Sequence, residues 1–326
     1  MLAKKVGRAN VQYIGNIQLR VNVKIGDRNF FALPSADQRA AFPLEKQPYM
    51  IIGADVSHGP ALVRGDTANR KPSAAAMVGT FDREGVKYAG VLRDQPGGTE
   101  IIQDFGGMFA QLVDNFARHN KGLRPARLVV YRDGVSEGQF QQVIDSELMQ
   151  LRRACMQIDP AFRPFLTFVT AQKRHNTKVF ASNPKDADRS GNVPSGTVVD
   201  TTICHPKEFD FFLESQGGLQ GTSRTTHYKV LYDDNKFTPD QLQSLTYRLC
   251  FNCPRHTLSR PGYSGLLRRL ARRSRPRLHR RRRRLGERDE QRVERVGDGA
   301  APGASELGGE YVLCVREDGG GGVAGR

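Results

Sequence analysis

The chain has 326 residues, 38% of them hydrophobic, enough to bury one sizeable domain. Its net charge of +16 invites a polyanionic partner. No apolar run approaches the roughly 20 residues of a membrane helix, and five cysteines with no secretory leader point to a reducing compartment, which sets aside the membrane-spanning and disulfide-stapled classes.

In chain order, the first element the pattern predicts is a strand over Ile17–Lys24, where apolar and polar residues alternate. Pro34 and Pro43 interrupt the segment between this strand and the next. Further strands are predicted at 50–55, 74–81, 86–92, 127–132, 165–171, 197–203 and 228–233. Helices are predicted at 99–118, 136–156, 208–215 and 238–251. Alternating strands and helices imply an α/β class, with a sheet covered on its faces.

Two of these strands end in carboxylates. Met50-Ile51-Ile52-Gly53-Ala54 runs into Asp55-Val56-Ser57-His58. Leu128-Val129-Val130-Tyr131 runs through Arg132 into Asp133; Gly134 then turns the chain and Ser136-Glu137 opens a helix. An Asp at the mouth of a buried strand wants a cation, a set of donors or water. Taken singly, each reads as a residue that caps a turn. Two such strands together offer what a pair of hard divalent ions needs. Glu100 follows the Gly-rich approach Gln95-Pro96-Gly97-Gly98-Thr99; alone it reads as a helix N-terminal acid favoured by the macrodipole. Lys173-Arg174-His175, after another strand, reads alone as a solvated basic turn.

In its wording the chain resembles the Piwi domain of eukaryotic Argonaute proteins, the guide-RNA-directed silencing nucleases. The stretches that carry the resemblance are Ile52 to His58, Thr99 to Asp104, Tyr131 to Phe140, Gln172 to Thr177, Gly191 to Thr197, Cys204 to Phe211, Gln220 to Arg224, His227 to Asp234 and Leu245 to Tyr247. They are collinear with the family from about residue 10 to about residue 252. The resemblance implies an RNase H-like fold, a mixed central sheet flanked by helices. It divides the chain into a remnant of the Mid domain and linker over 1–45, the Piwi domain over 46–258, and an Arg/Gly-rich tail over 259–326.

For function, the resemblance implies an endonuclease that hydrolyses RNA phosphodiester bonds with two Mg2+ (or Mn2+) ions, directed by a small guide RNA to a complementary target RNA. Silencing-complex proteins are implied as further partners, no membrane is, and the implied location is cytoplasmic or nuclear. Asp55 and Asp133 match two metal-holding carboxylates, and Glu100 matches a mobile catalytic glutamate on a loop able to move. The family's fourth ligand, His or Asp, has no in-frame counterpart, so the chain as it stands is expected to be inactive. Lys173, Arg174, His175, Lys178 and Arg224 match positions that grip guide phosphates, and Lys24 matches a contact to the guide's 5′ phosphate. Such contacts position a strand without reading its sequence. The alternatives are a guide-binding silencing protein that does not cut, and an Arg-rich nucleic-acid binder on a degenerate nuclease core.

The tail departs from the rest. From Ser259 onward there are 17 Arg, no Lys and 9 acids. The family pattern stops near Asn252. With CGN arginine codons, a one-base shift of Gly265-Leu266-Leu267-Arg268-Arg269-Leu270 permits Ala-Tyr-Tyr-Ala-Asp-Leu, which looks like the missing family segment. A frameshift or missed intron near residue 253 is therefore expected, with a tail that does not pack. Three distractors are set aside. Cys250-x-x-Cys253 lacks a second pair for zinc. His205 and His227 read as structural hydrogen-bonders, and Asp233-Asp234 as a turn.

Overall fold

Helix α1 (Val11–Lys24) begins the part of the chain that the computed structural model describes, residues 11–24, 29, 47–58, 72–218, 221–252 and 311–313. Alternating Ile17, Leu19, Val21 and Val23 predict a strand here, and the segment is a helix instead. The same residues also fit helical spacing, since Ile14, Ile17 and Val21 share a face. Asn29 Nδ2 donates to the Leu19 carbonyl at 2.8 Å.

Among the described residues nine strands form one sheet in the order β6-β7-β8-β5-β4-β1-β2-β3-β9. In sequence they are β1 (Tyr49–Ser57), β2 (Ser73–Thr80), β3 (Tyr88–Gln95), β4 (Arg127–Asp133), β5 (Phe165–Gln172), β6 (Val198–Val199), β7 (Asp210–Leu213), β8 (Thr226–Asp233) and β9 (Tyr311–Leu313). The central trio β1, β4 and β5 is parallel, and every other pairing is antiparallel. The central strands are apolar on both faces, as buried parallel strands must be. Met50, Ile52, Leu128, Val130, Leu166 and Phe168 join one core. Helices α2 (Phe105–His119) and α4 (Met149–Ile158) cover that face with Phe105, Phe109, Leu112 and Leu151. Ile51, Val129, Tyr131 and Val169 join the second core, which α5 (Pro239–Phe251) closes with Leu242, Leu245 and Leu249.

Helix α2 starts later than its sequence predicts. It begins at Phe105 rather than at residue 99, Asp104 caps it by accepting from the Gly107 N–H, and residues 99–104 stay irregular. The predicted helix at 136–156 is a broken run. It consists of a 3-10 turn (Glu137–Gln139), α3 (Phe140–Val143), a π-helical segment (Ile144–Leu148) and α4. The predicted helix at 208–215 is strand β7. Phe211 stacks on Tyr228 and Phe212 on His227, at 5.2 and 4.3 Å between ring centroids, and cross-strand ring pairs of this kind outweigh local propensity. The predicted strand at 197–203 shrinks to Val198–Val199, and Thr202 sits at φ 64, outside strand geometry. Most of the tail lies outside the described residues. Tyr311–Leu313 does not: it pairs with Gly90–Leu92 of β3, against the expectation of a tail that leaves the fold alone.

Among the described residues no helix is long and apolar enough to cross a membrane. Phe109 is fully buried beneath the sheet whereas Phe180 is 62% exposed. Phe109→Ala is expected to cost about 3–5 kcal/mol and Phe180→Ala less than about 0.5 kcal/mol, as read by urea unfolding of each variant beside the wild type.

Candidate active site

Parallel pairing sets Gly53 of β1 beside Tyr131 of β4, and Ala54 beside Arg132. Asp55 and Asp133 are the next residues of each strand. Alternation gives them the face that carries Ile51, Val129 and Tyr131, the α5 side. Each aspartate is 2% exposed. Their outer neighbours are small, Ala76 beside Asp55 and Ala171 beside Asp133. The carboxylates therefore meet at the carboxyl ends of two parallel strands with no bulky neighbour in register.

Glu100 reaches the same spot from the loop before α2. Gly134 turns at φ +93, and a Cβ there would meet Glu100 Oε1 at 2.7 Å and Asp55 Oδ1 at 3.6 Å. Only glycine combines that backbone with that proximity. His58 Nε2 lies 2.5 Å from Glu100 Oε2, and its Nδ1 lies 2.8 Å from Ser73 Oγ. The loop itself is bonded at five successive residues. Gly98 N–H donates to Ser73 Oγ, Gln95 Nε2 to the Thr99 and Ile101 carbonyls, and Arg132 Nη2 to the Glu100 carbonyl. Ile102 N–H donates to Glu147 Oε1 at 2.8 Å.

Arg132 and Glu147 are both fully buried, on the α2 side of the sheet. Arg132 Nε donates to both Glu147 oxygens at 3.1 and 3.0 Å, and its Nη1 donates to the Asp133 carbonyl. Burial disfavours the guanidinium charge, yet the Glu147, Glu100 and Asp55 carboxylates together outweigh it and hold the Arg132 pKa above its ordinary value. Burial pushes the Glu147 carboxyl up, against the pull of Arg132 and the Ile102 N–H.

Three carboxylates are hard oxygen donors of the kind that Mg2+ or Mn2+ takes, so the residues present fit such an ion. Among the described residues no group of three or more His, Cys, Asp or Glu side chains forms a ready-made metal centre. Lys173 Nζ instead lies 3.1 Å from Asp133 Oδ2. The stretch in which the family's fourth ligand is expected lies outside the described residues.

Of the residues expected at RNA, Arg174, Lys178 and Arg224 are exposed. His175 is half-buried and donates from Nε2 to the Thr225 carbonyl at 3.0 Å, which ties the segment bearing Arg174 to the one bearing Arg224. Lys173 belongs with the carboxylates by its contact. Lys24 ends α1.

The distractors are structural. His227 bridges Asp210 and Gln172, and Gln172 Nε2 donates to the Val135 carbonyl in the turn after Asp133. His205 Nδ1 accepts from the Lys207 and Glu208 N–H groups. Asp233 accepts from the Phe237 N–H and Asp234 pairs with Arg152, as turn residues do. Cys250 is buried, and Cys253 lies outside the described residues.

Sequence reasoning assigned no role to Arg132, Glu147 or His58. One signal was present: an arginine inside a core strand demands a buried acidic partner.

Gly134→Ala places a methyl against Glu100 and forces an L-residue into a left-handed conformation. The expected cost is about 1–2 kcal/mol in urea unfolding. Glu100 is expected to leave the strand ends in a crystal structure of the variant.

The same fold and motifs occur in known proteins. The Piwi domain family model matches residues 1–260. Protein argonaute 1B of Oryza sativa subsp. japonica is 45% identical over 275 residues, which cover 79% of this chain and 24% of that protein. Protein argonaute PNH1 of the same plant is 45% identical over 276 residues and is covered to 27%. The chain thus spans about a quarter of the length of these relatives. Among solved structures, the C-terminal lobe of a budding yeast Argonaute matches with TM-score 0.70 and 30% identity, over 78% of this chain and 51% of that one. Kluyveromyces polysporus Argonaute with a guide RNA matches with TM-score 0.67 and 29% identity, over 78% of this chain and 29% of that one. The fold is RNase H-like, and the chain belongs to the Piwi domain family, with Argonaute proteins as its relatives.

Proposed function

We propose that this chain is the Piwi portion of a guide-RNA-directed silencing protein, built to hydrolyse a phosphodiester bond of a target RNA. The observation that carries the reading is the register that sets Asp55 and Asp133 side by side at the ends of two parallel strands, with Glu100 Oε1 and Asp55 Oδ1 both beside Gly134. Asp55 and Asp133 would hold the Mg2+ or Mn2+ ions and Glu100 would complete their oxygen shell. The ions would supply Lewis acidity and a hydroxide-like nucleophile at neutral pH. The chain's own residues do the positioning. The strand ends fix two carboxylates, the five-point loop presents the third, and Ala76 and Ala171 leave room beside them. Arg174, Lys178 and Arg224, exposed and linked through His175, would track the guide backbone while base pairing supplies specificity. A small guide RNA and a complementary target are the proposed partners. The proposed domain span is 46–258.

One observation favours a second reading. The Lys173 ammonium rests on Asp133, a carboxylate that an ion would need. A guide-binding silencing protein that represses without cutting would leave that pair intact.

A chimera decides between them: residues 46–252 placed in the corresponding segment of rice protein argonaute 1B, a relative of which this chain covers 24%. Programmed with a guide, it is expected to cut a paired target only with Mg2+ or Mn2+, and Asp133→Ala is expected to abolish cutting while sparing guide binding. Guide binding without any cutting would favour the second reading. Undiminished cutting by the Asp133→Ala chimera would refute the first. The 326-residue chain alone is expected to cut negligibly. Replacing Arg174, Lys178 and Arg224 by Ala is expected to flatten the salt dependence of its single-stranded RNA binding, by about 0.7 in log–log slope per lost phosphate contact. An unchanged slope in filter binding would remove these residues from the RNA face.

A further inference from the structure

We propose that Glu147, presented by the π-helical segment Ile144–Leu148, is a positioning residue for Glu100; the inference rests on the metal-dependent reading of the site. It touches none of the three carboxylates. It acts through two grips on the loop. One is direct, from its Oε1 to the Ile102 N–H at 2.8 Å. The other runs through Arg132, which Glu147 orients and which donates to the Glu100 carbonyl and to the Asp133 carbonyl. One carboxylate thereby fixes the loop that carries Glu100 against the strand that carries Asp133.

The π segment is what delivers it. A π turn spaces side chains differently from α-helix and is concentrated at functional sites. Here it interrupts a run that is α-helical on both sides, and inside it Glu147 is 0% exposed beside Arg132, also 0% exposed. Stability alone does not account for the pair. A buried ion pair is commonly no better for stability than well-packed apolar residues of similar volume. What an apolar pair cannot do is accept from the Ile102 N–H and donate to two carbonyls at once. The grip also counters electrostatics: Glu100 is brought toward Asp55, a like charge, and a loop without anchors would swing it away.

The test uses the whole 326-residue chain and two variants. Glu147→Gln keeps an oxygen for the Ile102 N–H and removes the charge that orients Arg132. Arg132→Met with Glu147→Leu removes the pair while refilling its volume, and so keeps a fold even if the single variant loses one. Hydrogen exchange followed by mass spectrometry reads the loop, and electron paramagnetic resonance reads Mn2+ binding. In both variants, peptides covering 97–105 are expected to exchange about tenfold faster or more, with β1 and β4 peptides unchanged. Mn2+ affinity is expected to fall about 10–100-fold, the usual effect of losing a group that orients a ligand. Loop protection equal to wild type in either folded variant would overturn the proposal. So would faster exchange spread evenly over β1, β4 and α2, which marks a merely structural role. If the wild-type chain binds no Mn2+, the metal reading fails by itself, and the exchange of 97–105 still decides whether Glu147 holds the loop.

Discussion

Parallel pairing of β1 with β4 is the constraint on which the rest depends. Side chains alternate along a strand, so a slip of one residue would send Asp55 to the opposite face from Asp133. The register is pinned on both faces. Met50, Ile52, Leu128 and Val130 pack under α2 and α4, while Ile51, Val129 and Tyr131 pack under α5. Tyr131 adds a directional lock, its hydroxyl 2.9 Å from Thr246 Oγ1. The core fixes the register, the register aligns two carboxylates, and Gly134 then admits a third.

Gathering three carboxylates has an electrostatic cost. Like charges at short range repel, more strongly in a medium less polar than water. The chain answers with hydrogen-bond donors and cations at the edges. Lys173 meets Asp133, His58 meets Glu100, and Arg132 lies 3.7 Å from Glu100 Oε1 while its own charge is answered by Glu147. In the proposed function these contacts stand in for a stronger neutraliser. Asp133 would hold an ion in that function, and Lys173, which the resemblance places at guide phosphates, lies beside it.

The sequence made Asp55 and Asp133 legible because each ends a run of apolar residues. Gly134 was legible as a turn, and the strands β1, β2, β4, β5 and β8 followed from their buried runs. Other features depend on tertiary contacts. The strand β7 reads locally as helix, and only Tyr228 and His227 across the ladder make Asp210–Leu213 extended. Helix α1 carries a strand-like alternation together with the helical spacing of Ile14, Ile17 and Val21. The start of α2 is displaced because Gln95, Arg132 and Glu147 hold residues 99–102 in an irregular path. Two of those three groups lie over thirty positions away in the chain, beyond any local pattern. Arg132 was in plain view inside a motif, but its partner sits in a π turn that no helical periodicity announces.

In the proposed function the strand-end carboxylates would hold two ions. The most direct measurement is anomalous diffraction from crystals of this chain soaked in Mn2+, collected beside crystals of the Asp133→Ala variant. Anomalous peaks are expected within coordination reach of Asp55 and Asp133, separated by about 4 Å where two ions bind, and are expected to vanish in the variant. Wild-type crystals with Asp55, Glu100 and Asp133 ordered as described, and no Mn2+ between them at saturating concentration, would contradict this reading.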